Sequence, residues 1–162
     1  MTLFSKTTLT ALLASCFVTP ASTQEPPTDQ PAQPRPICES NKHFSDFDFW
    51  LGEWNVYSND DARQLQGANS ITTHHKNCLI MENWTNLQGG TGSSMNYYDV
   101  VEDQWRQLWV ADGYSIDYTG GLDASGSMVL NGKINYYNTG KSHAFRGTWT
   151  PAEDGSVRQL FE

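Results

Sequence analysis

Turn chemistry recurs along this chain at intervals too short to leave room for helices. Ser58-Asn59-Asp60-Asp61, the glycine-rich 88–92, 101–103, Asp112-Gly113, 123–126, Asn138-Thr139-Gly140 and Glu153-Asp154-Gly155 punctuate it from end to end. Asp and Asn at such sites bond their own backbone, and Gly supplies the left-handed conformation a tight turn demands. What lies between is strand-length: 50–57, 66–75, 78–85, 94–100, 104–111, 114–120, 127–131, 134–137, 143–150 and 156–161. No 3.6-residue apolar period competes with these runs. Short strands joined by consecutive hairpins predict an all-β fold, an antiparallel up-and-down barrel whose closure removes exposed edges. The chain stops at Glu162, straight after the β-rich 157–161, where a meander still needs a strand to meet its first. The barrel is therefore expected to lack its C-terminal strand or strands.

Composition agrees with strands. Six Trp, seven Tyr and seven Phe bring aromatics to 12%, against 17% charged residues, and flat rings suit a pleated surface. At 162 residues the chain accommodates one domain. Its net charge of −8 comes from scattered acidic residues, with no concentrated basic patch. Nucleic acid is thereby excluded as an expected partner, and the acidity is read as solubility.

Residues 1–23 do not read as part of the fold. Lys6 gives a positive start, and 9–18 (LTALLASCFV) is an apolar run too short to span a bilayer. Small residues at 19–23 then offer cleavage positions, so the segment is expected to be a signal peptide and the protein secreted or periplasmic. Leu13-Ala14-Ser15-Cys16 also resembles a lipobox, which would anchor the chain through a lipid on Cys16. The secretory reading is preferred because the apolar run continues through Phe17 and Val18. Residues 24–42 open on QEPPTDQPAQPRP, a Pro/Gln-rich tether, and the barrel is placed at 43–162.

The exported part keeps Cys38 and Cys78, an even pair in an oxidising compartment. A disulfide tying the N-terminal segment to the barrel is expected, with two separate buried thiols as the alternative.

Alternation assigns faces without saying which is inside. Ile80, Glu82 and Trp84 share one side, as do Trp105, Gln107 and Trp109, and as do His143, Phe145, Gly147 and Trp149. Each such face is aromatic with a polar group set into it, which suits either a filled barrel or an apolar pocket with orienting hydrogen bonds. Glu82, between Met81 and Asn83, is either a buried carboxylate fit for acid–base work or the partner of Arg106, Arg146 or Arg158, and the structural role weighs more. His74 and His75 are neighbours on a strand, so they point apart and do not chelate one ion; one is expected outside and one partly buried. No metal or other cofactor is expected. Nucleophile elbows, phosphate loops and metalloprotease motifs are absent from the sequence.

At 47–54 (FDFWLGEW) the chain resembles bacterial secreted proteins of the DUF1579 type, lipocalin-like (calycin-like) β-barrels of uncharacterised function. Similar blocks follow in order at 78–84 (CLIMENW), at Tyr97-Tyr98-Asp99 with 105–110 (WRQLWV), and at 148–151 (TWTP) with Asp154-Gly155 and Val157-Arg158-Gln159. The resemblance implies that Gly52 and Trp54 start the first strand, the Trp closing one barrel end, with Phe47, Phe49 and Trp50 capping the floor. Gly52, Trp54 and Arg158 are accordingly read as structural. Haem bound by a single His, as in the related nitrobindins, would need His75 or His143 to face inward, and nitrobindin signature blocks are not seen.

Together these readings predict a barrel that binds a small apolar or amphipathic molecule. Trp84, Tyr98, Trp105 and Trp109 would supply ring surface, and Glu82 and Gln107 would orient the ligand. Two alternatives are an enzyme using Glu82 as general acid or base, and a filled barrel acting through its surface.

Overall fold

The structure, a computed structural model, describes residues 37–162; the expected signal peptide, Cys16 and the spacer as far as residue 36 lie outside the described residues. It is all-β apart from short helical turns. Helix α1 (Ile37–Ser40) and two 3-10 turns (Lys42–Ser45 and Asp48–Trp50) precede nine strands. These are β1 (Gly52–Tyr57), β2 (Leu65–His74), β3 (Leu79–Asn86), β4 (Thr91–Asp99), β5 (Gln104–Ala111), β6 (Tyr114–Leu122), β7 (Met128–Tyr136), β8 (Lys141–Pro151) and β9 (Val157–Phe161). Every strand pairs antiparallel with the next in sequence, in the single order β1 to β9, and the sheet curls into a lipocalin-like half-barrel. Among the described residues, no ladder joins β1 to β9.

The hairpin joints fall where Asp, Asn and Gly mark them, but three expectations need correcting. Residues 127–131 and 134–137 are one strand, β7, because Gly132 stays in the ladder opposite Tyr118 on one side and Phe145 on the other. A Cβ there would lie 2.1 Å from the Asp117 carbonyl and 2.5 Å from the Tyr118 Cβ. Its absence lets the rings of Tyr118 and Phe145 lie parallel across the gap, 6.2 Å apart. Trp50, expected to begin the first strand, closes a 3-10 turn; the strand starts at Gly52, whose φ of +134° is open to glycine alone. Residues 37–42, allotted to the tether, form α1 and lead into the first 3-10 turn, and Cys38 is buried there. Its sulfur is 1.98 Å from that of Cys78, at disulfide distance, joining α1 to the turn between β2 and β3.

The crowded aromatics of 44–54 form a plug across one end of the half-barrel. Phe47 is fully buried, stacked on Trp50 at 4.8 Å and meeting Trp105 and Trp149 edge-on at 5.7 and 5.4 Å. Burying such a ring stabilises by on the order of 1.5–3 kcal/mol. Polar bonds fix the plug in place. The Trp105 indole donates to the His43 carbonyl at 3.1 Å, and the Trp54 indole donates to the Trp50 carbonyl at 2.8 Å. With its amide turned to satisfy both, Gln159 of β9 accepts from the indoles of Trp149 at 2.7 Å and Trp50 at 3.3 Å.

The plug settles which faces are inside. Ile80 and Glu82, Trp105, Gln107 and Trp109, and Gly147 and Trp149 all point inward and are buried. Leu108 and Val110, on the opposite face of β5, are exposed. No helix among the described residues is long and apolar enough to cross a membrane.

Candidate functional site

Above the plug the half-barrel encloses a cavity of about 470 Å³. Trp149 forms its base, lying between the Phe47 ring and the open volume. Its walls are largely aromatic and aliphatic: Trp84, Trp109, Ile116, Tyr118, Ile134 and Phe145. Tyr136 and Phe161, 40% and 49% exposed, line it as well, so the end away from the plug reaches solvent.

Set into this apolar wall is a polar chain built by strand register. Glu82 on β3 stands opposite Ser94 on β4, Asn96 opposite Gln107 on β5, and Gln107 opposite Tyr118 on β6. Ser94 and Asn96 are two apart on one strand and so share the inner face. The hydrogen bonds follow that track. The Tyr118 hydroxyl donates to the Gln107 amide oxygen, and the Gln107 amide nitrogen donates to Asn96 Oδ1. Asn96 Nδ2 donates to Ser94 Oγ at 2.9 Å and to the Ile80 carbonyl at 3.2 Å. The Ser94 hydroxyl donates to Glu82 Oε2 at 2.7 Å, and from β2 the Asn69 Nδ2 donates to Glu82 Oε1 at 2.7 Å. From Tyr118 to Ser94 the bonds run in one direction, toward the carboxylate, with one side bond from Asn96 to the Ile80 carbonyl.

Glu82 is 7% exposed. Burial pushes its carboxyl above the usual range, and the bonds from Asn69 and Ser94 pull it back only in part. Burial, and then the field of Glu82, holds the Tyr118 phenol protonated well above its ordinary value, so it stays a donor. Among the described residues the ion pairs are His43–Asp46 and Arg106–Asp99. The expected arginine partner of Glu82 is therefore corrected: Arg106 is taken by Asp99, and Arg146 and Arg158 are exposed. One further polar atom is buried without a partner, the Asn69 Oδ1, on a residue that also lines the cavity.

Of the residues named from sequence, Glu82, Trp84, Gln107 and Trp109 come together on the cavity wall. Tyr98 and Trp105 do not. They lie at the plugged end, Tyr98 under His43 at 5.3 Å and Phe44 at 5.4 Å, Trp105 against Phe47. Tyr98 donates to Asp103, and that bond before all else pushes its phenol up to about 12. Arg158 is exposed on the outer side of β9, between half-buried Val157 and Gln159. His74 and His75 are both exposed, so neither is partly buried as expected. β2 ends at His74, and His75, Lys76 and Asn77 turn with positive φ. His143 is exposed too. Among the described residues, no cluster of three His, Cys, Asp or Glu side chains stands ready for a metal.

Asn69, Ser94, Asn96 and Tyr118 escape a reading of the sequence alone. The available signal was phase. Ser94 and Asn96 alternate in step with Tyr98, and Asn69 with Ile71, so one buried neighbour assigns the rest. No family model matches this chain, and no curated protein sequence matches it.

Proposed function

We propose that the protein is a binding protein, holding one small apolar or amphipathic molecule in the half-barrel. The observation that carries this is the cavity itself, about 470 Å³ walled by rings and crossed by an ordered polar chain. Pockets of that size with a few fixed polar groups are what small ligands occupy, whereas a barrel acting only through its surface has no use for one. The enzyme alternative loses its electrostatic partner, since no arginine or lysine pairs with Glu82 among the described residues. The disulfide-distance pair and the signal-peptide pattern support a secreted or periplasmic setting. The resemblance to lipocalin-like DUF1579 proteins supports the barrel architecture on which that role depends.

Titration with the neutral fluorophore N-phenyl-1-naphthylamine tests the proposal. One saturable site per chain is expected, weakened when Ile134→Trp fills the cavity. Emission that rises without saturation, or that ignores Ile134→Trp in a folded variant, would refute it.

A further inference from the structure

Among the described residues, the carboxylate set into the cavity wall is met by hydrogen-bond donors and by no cation. Glu82 takes one donor on each carboxylate oxygen, which leaves lone pairs on both. Asn69 Oδ1 is buried and accepts from nothing. The Tyr118 hydroxyl spends its hydrogen on Gln107 and keeps only its lone pairs. Within the polar chain the bonds from Tyr118, Gln107, Asn96 and Ser94 run one after another toward Glu82.

A carboxylate 7% exposed, without a cation, is costly to hold ionised in such surroundings. An unpartnered buried amide oxygen adds to that cost. The carboxylate borders the empty space, and its cost is relieved by one kind of group, a cation that carries N–H donors. The walls suit it, because the faces of Trp84, Trp109 and Trp149 attract positive charge. So does the net charge of −8, which draws cations to the chain. A bare metal ion is disfavoured by the lack of any cluster of three ligating side chains among the described residues. An anionic head group would meet lone pairs and a like charge.

We propose that the cavity selects a cationic amphiphile, a protonated amine on an apolar body, whose ammonium group bonds Glu82 while the body lies against the rings. This rests on the binding role proposed above and narrows it to one ligand class. Fatty acids and other carboxylate- or phosphate-headed lipids are rejected.

The test uses three probes with one tail: octylamine, 1-octanol and octanoate. Each displaces N-phenyl-1-naphthylamine from the wild-type protein at pH 7. Octylamine should compete at least roughly tenfold better than 1-octanol, as a charge-assisted hydrogen bond implies, and octanoate should compete worst. Glu82→Gln should bring octylamine down to the level of 1-octanol. That variant keeps its hydrogen bonds, because Asn69 turns its amide to accept from the new Gln nitrogen. On acidification, octylamine affinity should fall as Glu82 takes up its proton, and its advantage over 1-octanol should close. The groups facing Glu82 are Asn69 of β2, Ser94 of β4, Gln107 of β5, and Tyr114 and Tyr118 of β6, and the two phenols alone among them titrate.

Equal affinity for amine and alcohol, or tightest binding of octanoate, would overturn the amine assignment while leaving a binding protein. The wild-type series decides this whether or not the variant folds. Should the neutral fluorophore itself fail to bind, the binding role falls too, and with it the inference.

Discussion

Trp54 reaches back four residues to donate its indole hydrogen to the carbonyl of Trp50, at 2.8 Å. The bond spans Gly52, where the chain swings from the 3-10 turn into β1 with φ at +134°. It couples the plug to the first strand by a route independent of apolar packing. Replacing Trp54 with Phe keeps a ring and removes the donor, so the loss should be that of one hydrogen bond, about 1 kcal/mol. The urea midpoint reads this directly. A Phe variant as stable as wild type would mean that Trp54 acts through packing alone.

The Cys38–Cys78 link closes a sequence separation of 40 residues. Chain-entropy arguments assign such a loop a stabilisation of roughly 3–4 kcal/mol. A Cys38→Ser/Cys78→Ser double variant should lose about that much in guanidinium unfolding, and wild-type protein under reductant should match it. If reductant leaves the midpoint unchanged, the sulfurs are not joined in the folded protein.

Glu82 leaves a pH signature of definite sign. Its carboxyl is raised above the ordinary 4.5 in the folded protein. Between 4.5 and the folded value, the native state holds more protons than the unfolded one. Its contribution to stability is therefore complete below 4.5 and is lost as pH rises through the folded value. Asp48 is also raised, whereas Asp99, Asp123 and Asp154 are lowered. All four are common to wild type and Glu82→Gln, so the difference between the two proteins isolates Glu82. That difference, from urea midpoints at successive pH values, should move against wild type from pH 4.5 upward and then level off. A flat difference would mean that Glu82 titrates alike in both states.

The six-membered ring of Trp109 packs on Gly92, on the neighbouring strand. A Cβ at Gly92 would fall 2.3 Å from Trp109 Cζ2, so Gly92→Ala must push the indole into the cavity. Destabilisation of about 1–3 kcal/mol is expected, together with weaker binding of N-phenyl-1-naphthylamine. Stability and binding both unchanged would show that the indole has another place to go.

Local chemistry made the hairpins legible and left the direction of the strands open. Asp112-Gly113 and Asn138-Thr139-Gly140 announce their turns because a few neighbouring residues suffice to form them. Which side of β4 faces inward is not decided locally. Met95 and Tyr97 look like its core face, yet they are 45% and 39% exposed, while Ser94 and Asn96 are 1% and 0% exposed. Hydrophobicity points the wrong way there because this strand supplies the middle of the polar chain, where each group is satisfied by a partner on a neighbouring strand. Glu82 and Gln107 were recognisable as polar residues on aromatic faces. Their bonds depend on register with β2, β4 and β6, which no short window contains. Tyr98 and Trp105 were assigned to the cavity because alternation gives a face but no height along the strand, and their height places them against the plug.

The plug is translated before any strand, yet its partners come late. Trp105 lies 62 residues beyond the His43 carbonyl it bonds, and Trp149, on which Phe47 rests, belongs to β8. Contacts of such long range form slowly. Until β8 is in place, residues 44–50 have no floor to build and the half-barrel stands open at both ends. The cavity thus arrives with the last hairpins rather than growing strand by strand, and a chain halted partway would hold all of Glu82's donors without a vessel around them.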